Sequence, residues 1–147
     1  MNLSLRSAYE SFLYSLAESY CEQVASSTLH LFSVSSHATI VRGSVYLLNG
    51  LELRVYEAID FDHHSFLEYS YTVLYRGERV RWYDAQPHAE IPELTGTFPH
   101  HRHEAPDIKH NRHPAPGISF AESNLPTLIN DCIELGRQLT DEDSSPK

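Results

Sequence analysis

The sequence has no apolar run approaching the roughly 20 residues that a membrane-spanning helix requires. Its amino terminus also lacks the basic stretch and unbroken apolar segment of a secretory leader. The expectation is a cytoplasmic protein with no membrane contact. Cysteine is scarce: Cys21 and Cys132 are the 2 in the chain. They are not spaced as a metal-binding pair, and both fall on apolar helical faces, so buried thiols are expected rather than a disulfide. Positive charge is also short, with 11 Lys and Arg against 20 Asp and Glu and a net charge of -9. An acidic surface repels backbone phosphates, which argues against a general grip on nucleic acid and leaves local binding open. Internal repeats and linker-like stretches are missing too. The 147 residues, 41% hydrophobic, fit one domain with its own core. That domain is expected over 1–139, followed by a disordered polar tail over 140–147.

What is present begins with a helical stripe. Leu5, Tyr9, Phe12, Leu13, Leu16 and Tyr20 recur every three or four residues and predict a helix over 4–24, with Ser4 as its cap. Residues 28–34 are short, apolar and partly β-branched, and fit either the end of that helix or a first strand. Strands follow at 39–42 and 44–48, then Asn49-Gly50, the strongest short hairpin signal. Over 51–59, Leu51, Leu53, Val55 and Ile59 alternate with Glu52, Arg54 and Tyr56. Glu57 falls on the apolar side, where it needs a partner or a place at the sheet edge. An aromatic strand over 66–75, a turn at Arg76-Gly77-Glu78 and a return strand over 79–84 complete an antiparallel meander. The tyrosines Tyr69, Tyr71, Tyr75 and Tyr83 are expected beneath the helices. A last helix opens at Ser123, with Pro126 in its first turn and an apolar stripe of Leu125, Leu128, Ile129, Cys132 and Ile133. The fold class is therefore α+β: an antiparallel sheet of hairpins packed by amino- and carboxy-terminal helices.

Between the last strand and the last helix the pattern changes. Six of the 8 prolines and six of the 10 histidines lie between Asp84 and Pro116. Proline blocks helix interiors and central strands, so 84–113 is expected as a long loop of fixed shape. Hydrophobic burial does not call for a cluster of His88, His100, His101, His103, His110 and His113. Imidazole is a metal ligand, a proton carrier near neutral pH and, when protonated, a phosphate partner. Three readings stay open. In the first, histidines act as acid and base on RNA, with Arg81, Arg102 and Lys109 on phosphate and Tyr71 or Tyr83 stacked on a base. In the second, His101 and His103, with Asp84 or His88, hold zinc or another divalent metal. In the third, the loop is a surface segment whose histidines bond Asp84, Glu90, Glu93 and backbone groups.

Two strings carry a resemblance: Tyr83-Asp84-Ala85-Gln86-Pro87-His88, then Thr97-Phe98-Pro99-His100-His101-Arg102-His103. Together they resemble the TumE-like toxins, over roughly 39–135. Trp82 stands where that family has arginine, Ala89 follows His88 where a second histidine is common, and the 90–96 insertion and the long first helix depart from the pattern. The resemblance implies a toxin component of a prokaryotic toxin–antitoxin pair, with a helix-turn-helix antitoxin as partner. RNA is the expected substrate by analogy with other toxins. A second copy of the chain is a further candidate partner. The candidate catalytic residues are Asp84, His88, His100, His101 and His103. Arg81, Tyr83 and Arg102 are the candidate substrate contacts. No cofactor is expected in this reading, with zinc as the alternative in a non-catalytic binding module.

Overall fold

The computed structural model describes residues 3, 5–84, 100–104 and 112–144; for 101 and 112–114 this covers the backbone, not the side chain, and the same holds for 143 and 144. The chain order is α1 (Arg6–Tyr14), α2 (Leu16–Ser19), β1 (Val24–Ser27), β2 (His30–Ser33), β3 (Thr39–Leu47), β4 (Leu51–Asp60), β5 (Ser65–Tyr75), β6 (Glu78–Asp84), β7 (His101–Glu104), β8 (Arg112–Pro114) and α3 (Leu125–Ser144). The strands form one eight-stranded antiparallel sheet in the order β1-β3-β4-β5-β6-β7-β8, with β2 also on β3. The α+β architecture with terminal helices is thus the one the sequence predicts.

The first helix is shorter than its stripe. The Ser15 hydroxyl donates to the carbonyls of Ser11 (2.8 Å) and Phe12 (3.3 Å), competing with the helical ladder and dividing α1 from α2. Leu5, not Ser4, holds the N-cap position and supplies no side-chain bond. The second segment ends at Ser19, so Cys21 is exposed, contrary to expectation, whereas Cys132 is buried. Residues 24–33 become two short strands that share β3. Their handover lies over Gly43, whose φ is +139° and whose Cβ would meet the Thr28 carbonyl oxygen at 2.5 Å, so only glycine fits.

The two hairpin turns differ in kind. Gly50 N donates to the Leu47 carbonyl (3.1 Å) and takes φ +93°, closing a three-residue loop in which only glycine is left-handed. At the second turn Arg76 (φ +54°) and Gly77 (φ +80°) are both left-handed, a two-residue type I′ turn.

Alternation divides the sheet into two faces. Leu51, Leu53, Val55 and Ile59, with Tyr69, Tyr71, Val73 and Tyr83, turn toward the helices. Leu125, Leu128, Ile129, Cys132 and Leu135 of α3 close that core, and each aliphatic side chain buried there contributes about 1.5–3 kcal/mol. The predicted polar tail begins inside α3, which runs on to Ser144. Within the predicted loop, β7 and β8 are strands that extend the sheet beyond β6. Pro114 is compatible with pairing because β8 ends the strand order, where a missing N–H breaks no ladder. No helix among the described residues is long and apolar enough to cross a membrane.

Candidate functional site at the junction of strands 6 and 7

Two ladders fix the site. Trp82 pairs with His103, Asp84 with His101, Arg81 with Glu104 and Tyr83 with Arg102. Successive residues of a strand point to opposite faces, so the histidine string is divided rather than gathered. His103 belongs to the face opposite the helices. His100 is on the helix side.

On the helix side, the Tyr69 hydroxyl makes a short hydrogen bond to His100 Nδ1, and the two rings stack with centroids 5.7 Å apart. Phe120 tilts against both, 4.7 Å from the imidazole and 5.7 Å from the phenol. Burial, and then the nearby charge of Asp84, push the Tyr69 phenol well above its ordinary pKa, so it stays protonated and can act as the donor. His100 itself is half-buried.

On the opposite face, the His103 ring stacks on Trp82 at 4.8 Å, and its Nε2 lies 3.5 Å from Asp84 Oδ2. His103 is 3% exposed and Asp84 6%. The Trp82 indole donates to Ser70 Oγ at 2.8 Å, which holds the stack flat on the sheet.

The expected substrate contacts fall differently. Tyr83 is 0% exposed, and its hydroxyl donates to Asp131 Oδ2 of α3 at 2.8 Å, so its ring has no surface on which a base could stack. Tyr71 is equally buried. Arg81 is buried, with Nη2 2.8 Å from Glu104 Oε1 and Nη1 donating to the Tyr83 hydroxyl at 3.3 Å. Arg102 Nε shares the same Glu104 oxygen at 2.9 Å and remains half-exposed. These guanidiniums bind the β6–β7 junction together from beneath. His88, Lys109 and His110 lie outside the described residues, as do the side chains of His101 and His113.

The partner that sequence reasoning asked for at Glu57 proves to be a polar group in the core. Glu57 is 0% exposed, and its carboxylate accepts from Tyr9 at 2.7 Å and Tyr71 at 2.6 Å. Asn124 Nδ2 donates to the Tyr71 hydroxyl (3.1 Å), and Ser123 Oγ lies 3.2 Å from that of Tyr9. Burial pushes the Glu57 carboxyl up to about 7, against the lowering effect of the two phenols. The cluster ties α1, β4, β5 and the start of α3 together. Its signal in the sequence was Glu57 itself, a charged residue on an apolar strand face.

Among the described residues, no group of three or more His, Cys, Asp or Glu is placed to hold a metal ion. The family model for toxin TumE matches residues 13–136. The chain belongs to the TumE toxin family. The match spans β1 through most of α3, including both histidine strings, and omits most of α1. Membership makes the chain a toxin component of a toxin–antitoxin system and implies an antitoxin partner. Searches of curated proteins and of solved structures give no significant match.

Proposed function

We propose that this TumE-family chain acts on RNA by histidine acid–base chemistry at the end of the β6–β7 pair. The observation that carries the reading is the Tyr69–His100 pair. The Tyr69 hydroxyl donates to the Asp84 carbonyl at 3.4 Å, so its oxygen can accept from His100 Nδ1–H, which leaves Nε2 as the nitrogen that exchanges a proton. In its protonated form His100 then serves as the general acid. A base takes the proton from a ribose 2′-hydroxyl, the 2′-oxygen attacks the adjacent phosphorus, and the 5′-oxygen leaves with the proton from His100 Nε2. His101, adjacent in sequence, is our candidate for the base. Buried Asp84 and His103 act as positioning groups, and Arg102 as the nearest cation for the phosphate. The partner in this reading is a helix-turn-helix antitoxin in the cytoplasm.

The test is induced expression in bacteria without antitoxin, with RNA integrity followed alongside growth. Wild type should arrest growth and cleave RNA, and His100→Ala should lose both. Equal arrest by wild type and His100→Ala, with intact RNA, would end the proposal. A second reading has one observation in its favour: Asp84 Oδ2 lies 3.5 Å from His103 Nε2, a carboxylate–imidazole pair that with a further histidine such as His101 would suit zinc. Stoichiometric zinc in tag-free protein, lost in His101→Ala, would support it over hydrolysis without metal.

A further inference from the structure

The sheet face opposite the helices is built from two neighbouring cross-strand rows. In one, Ser44 pairs with Arg54, Arg54 with Thr72, Thr72 with Trp82, Trp82 with His103 and His103 with Arg112. In the other, Arg42 pairs with Tyr56 and Tyr56 with Ser70. One step beyond the Tyr71–Tyr83 pair, the same row continues through Asp84 to His101. At about 4.8 Å per strand, the first row runs about 24 Å from β3 to β8 and the second about 19 Å from β3 to β7. Both cross the β6–β7 junction.

The composition of these rows is unlike the rest of the molecule. Arg42, Arg54 and Arg79 are exposed on this face. Arg42 lies 5.0 Å from the centroid of the Tyr56 ring, and Arg79 lies 6.0 Å from that of Trp82. Arg42, Ser44, Arg54, Tyr56, Glu68 and Ser70 line a shallow groove. Besides the buried Asp84, two acids share the face. Glu52 is held by Ser44 (2.7 Å) and Arg54 (3.1 Å), and Glu68 is exposed beside Tyr56. The three helices, by contrast, carry seven acidic residues and two basic ones. The net charge of -9 is therefore unevenly placed, with most of the helical acidity on the other side of the sheet.

We propose that this open sheet face binds single-stranded RNA, with bases stacked over Tyr56 and Trp82 and phosphates on Arg42, Arg54 and Arg79, and delivers it to the β6–β7 junction. Flat aromatic rings with interleaved guanidiniums suit unpaired nucleotides, because every base has a π-face and every linkage a charge. A guanidinium already lies over the Tyr56 ring, so the ring face accommodates a planar group. A duplex offers no exposed base faces and gains only the charge term. The inference rests on RNA as the substrate proposed above and adds its strandedness and path.

The experiment uses the full chain carrying His100→Ala to prevent cleavage, and a labelled single-stranded oligoribonucleotide with its duplex as comparison. Arg42→Ala with Arg54→Ala should weaken single-strand binding at least tenfold. It should also reduce the slope of log K against log salt by about 1.4, from two phosphate contacts at about 0.7 each. Tyr56→Ala should cost roughly 5- to 150-fold, and Tyr56→Phe should retain affinity, because only the stacking surface matters. Arg137→Ala removes an exposed charge from α3 and should leave binding unchanged. Equal loss with Arg137→Ala, or no loss in the double arginine variant, would overturn the assignment. It would equally be overturned if the double variant bound RNA normally and lost its antitoxin, since the face would then belong to the protein partner. If single-strand binding follows these variants while His100→Ala remains toxic, the face stands and the acid–base reading fails. If wild type is toxic and cleaves RNA but the arginine variants bind and cleave normally, the converse holds.

Discussion

Glu57 is a carboxyl enclosed by phenols, and its titration is coupled to folding. Its folded pKa, about 7, lies above the ordinary carboxylate range, so the native state holds a proton that the unfolded chain releases. Its contribution is therefore most favourable in acid and is lost as pH rises from about 4.5 through about 7. That loss amounts to about 3 kcal/mol. Glu57→Gln should flatten this part of the stability–pH curve, with the variant gaining on wild type at pH 8 relative to pH 5.5 in urea titrations. Tyr69 makes a different prediction. Tyr69→Phe keeps the stack on His100 and removes the hydroxyl that holds its Nδ1. RNA cleavage should fall roughly tenfold or more, with a displaced pH profile and unchanged RNA affinity. A purely structural role would lower thermal stability and leave the pH profile in place. The cysteines give a third test at this scale. Cys21 is exposed, and burial pushes the Cys132 thiol up to about 12. One thiol should react with a disulfide reagent in native buffer and two in denaturant.

The handover between β1 and β2 is the most demanding contact among the elements, because a backbone carbonyl sits where a side chain on Gly43 would begin. Gly43→Ala should cost about 3 kcal/mol in chemical denaturation. The β3–β4 hairpin is tied to α3 by Asn49 Nδ2, which donates to the Cys132 carbonyl at 3.3 Å. Gly136 leaves the space for it, since a Cβ there would lie 2.2 Å from that nitrogen. The hairpins themselves were legible in the sequence because alternation and turn chemistry are local. The break at Ser15 was not, since Leu16 continues the apolar stripe across it. Strand β7 was hidden for another reason. His101-Arg102-His103-Glu104 contains no apolar residue, and its pairing depends on Arg81, Trp82 and Asp84, which lie well before it in the chain. The histidine cluster could be read from composition. Which histidines share a face could not, because that parity is set by where β7 pairs with β6. The same non-local pairing placed Arg81 and Tyr83 in the interior, where sequence reasoning had offered them to substrate.

At the scale of the whole molecule, one sheet runs through every strand among the described residues, and helices close one of its faces. The core draws on α1, α3 and every central strand, so it has no separable half. A chain ending after Leu125 would lose Leu128, Ile129, Cys132 and Leu135 together. Circular dichroism of that truncation should show loss of the sheet, not a stable meander lacking a helix. The ladder between β6 and β7 also governs how freely the chain between them can vary. Register there is held by Trp82 against His103 and by Arg81 against Glu104, not by the length of 85–99. Insertions, and deletions that leave enough chain to turn between the two antiparallel strands, should leave the phase of β7 intact. A single-residue deletion between His100 and Glu104 would invert it, exchanging His103 on the open face for a residue that faces the core. Libraries of length variants should therefore tolerate change on one side of His100 and reject it on the other, giving a toxicity readout with a one-residue boundary.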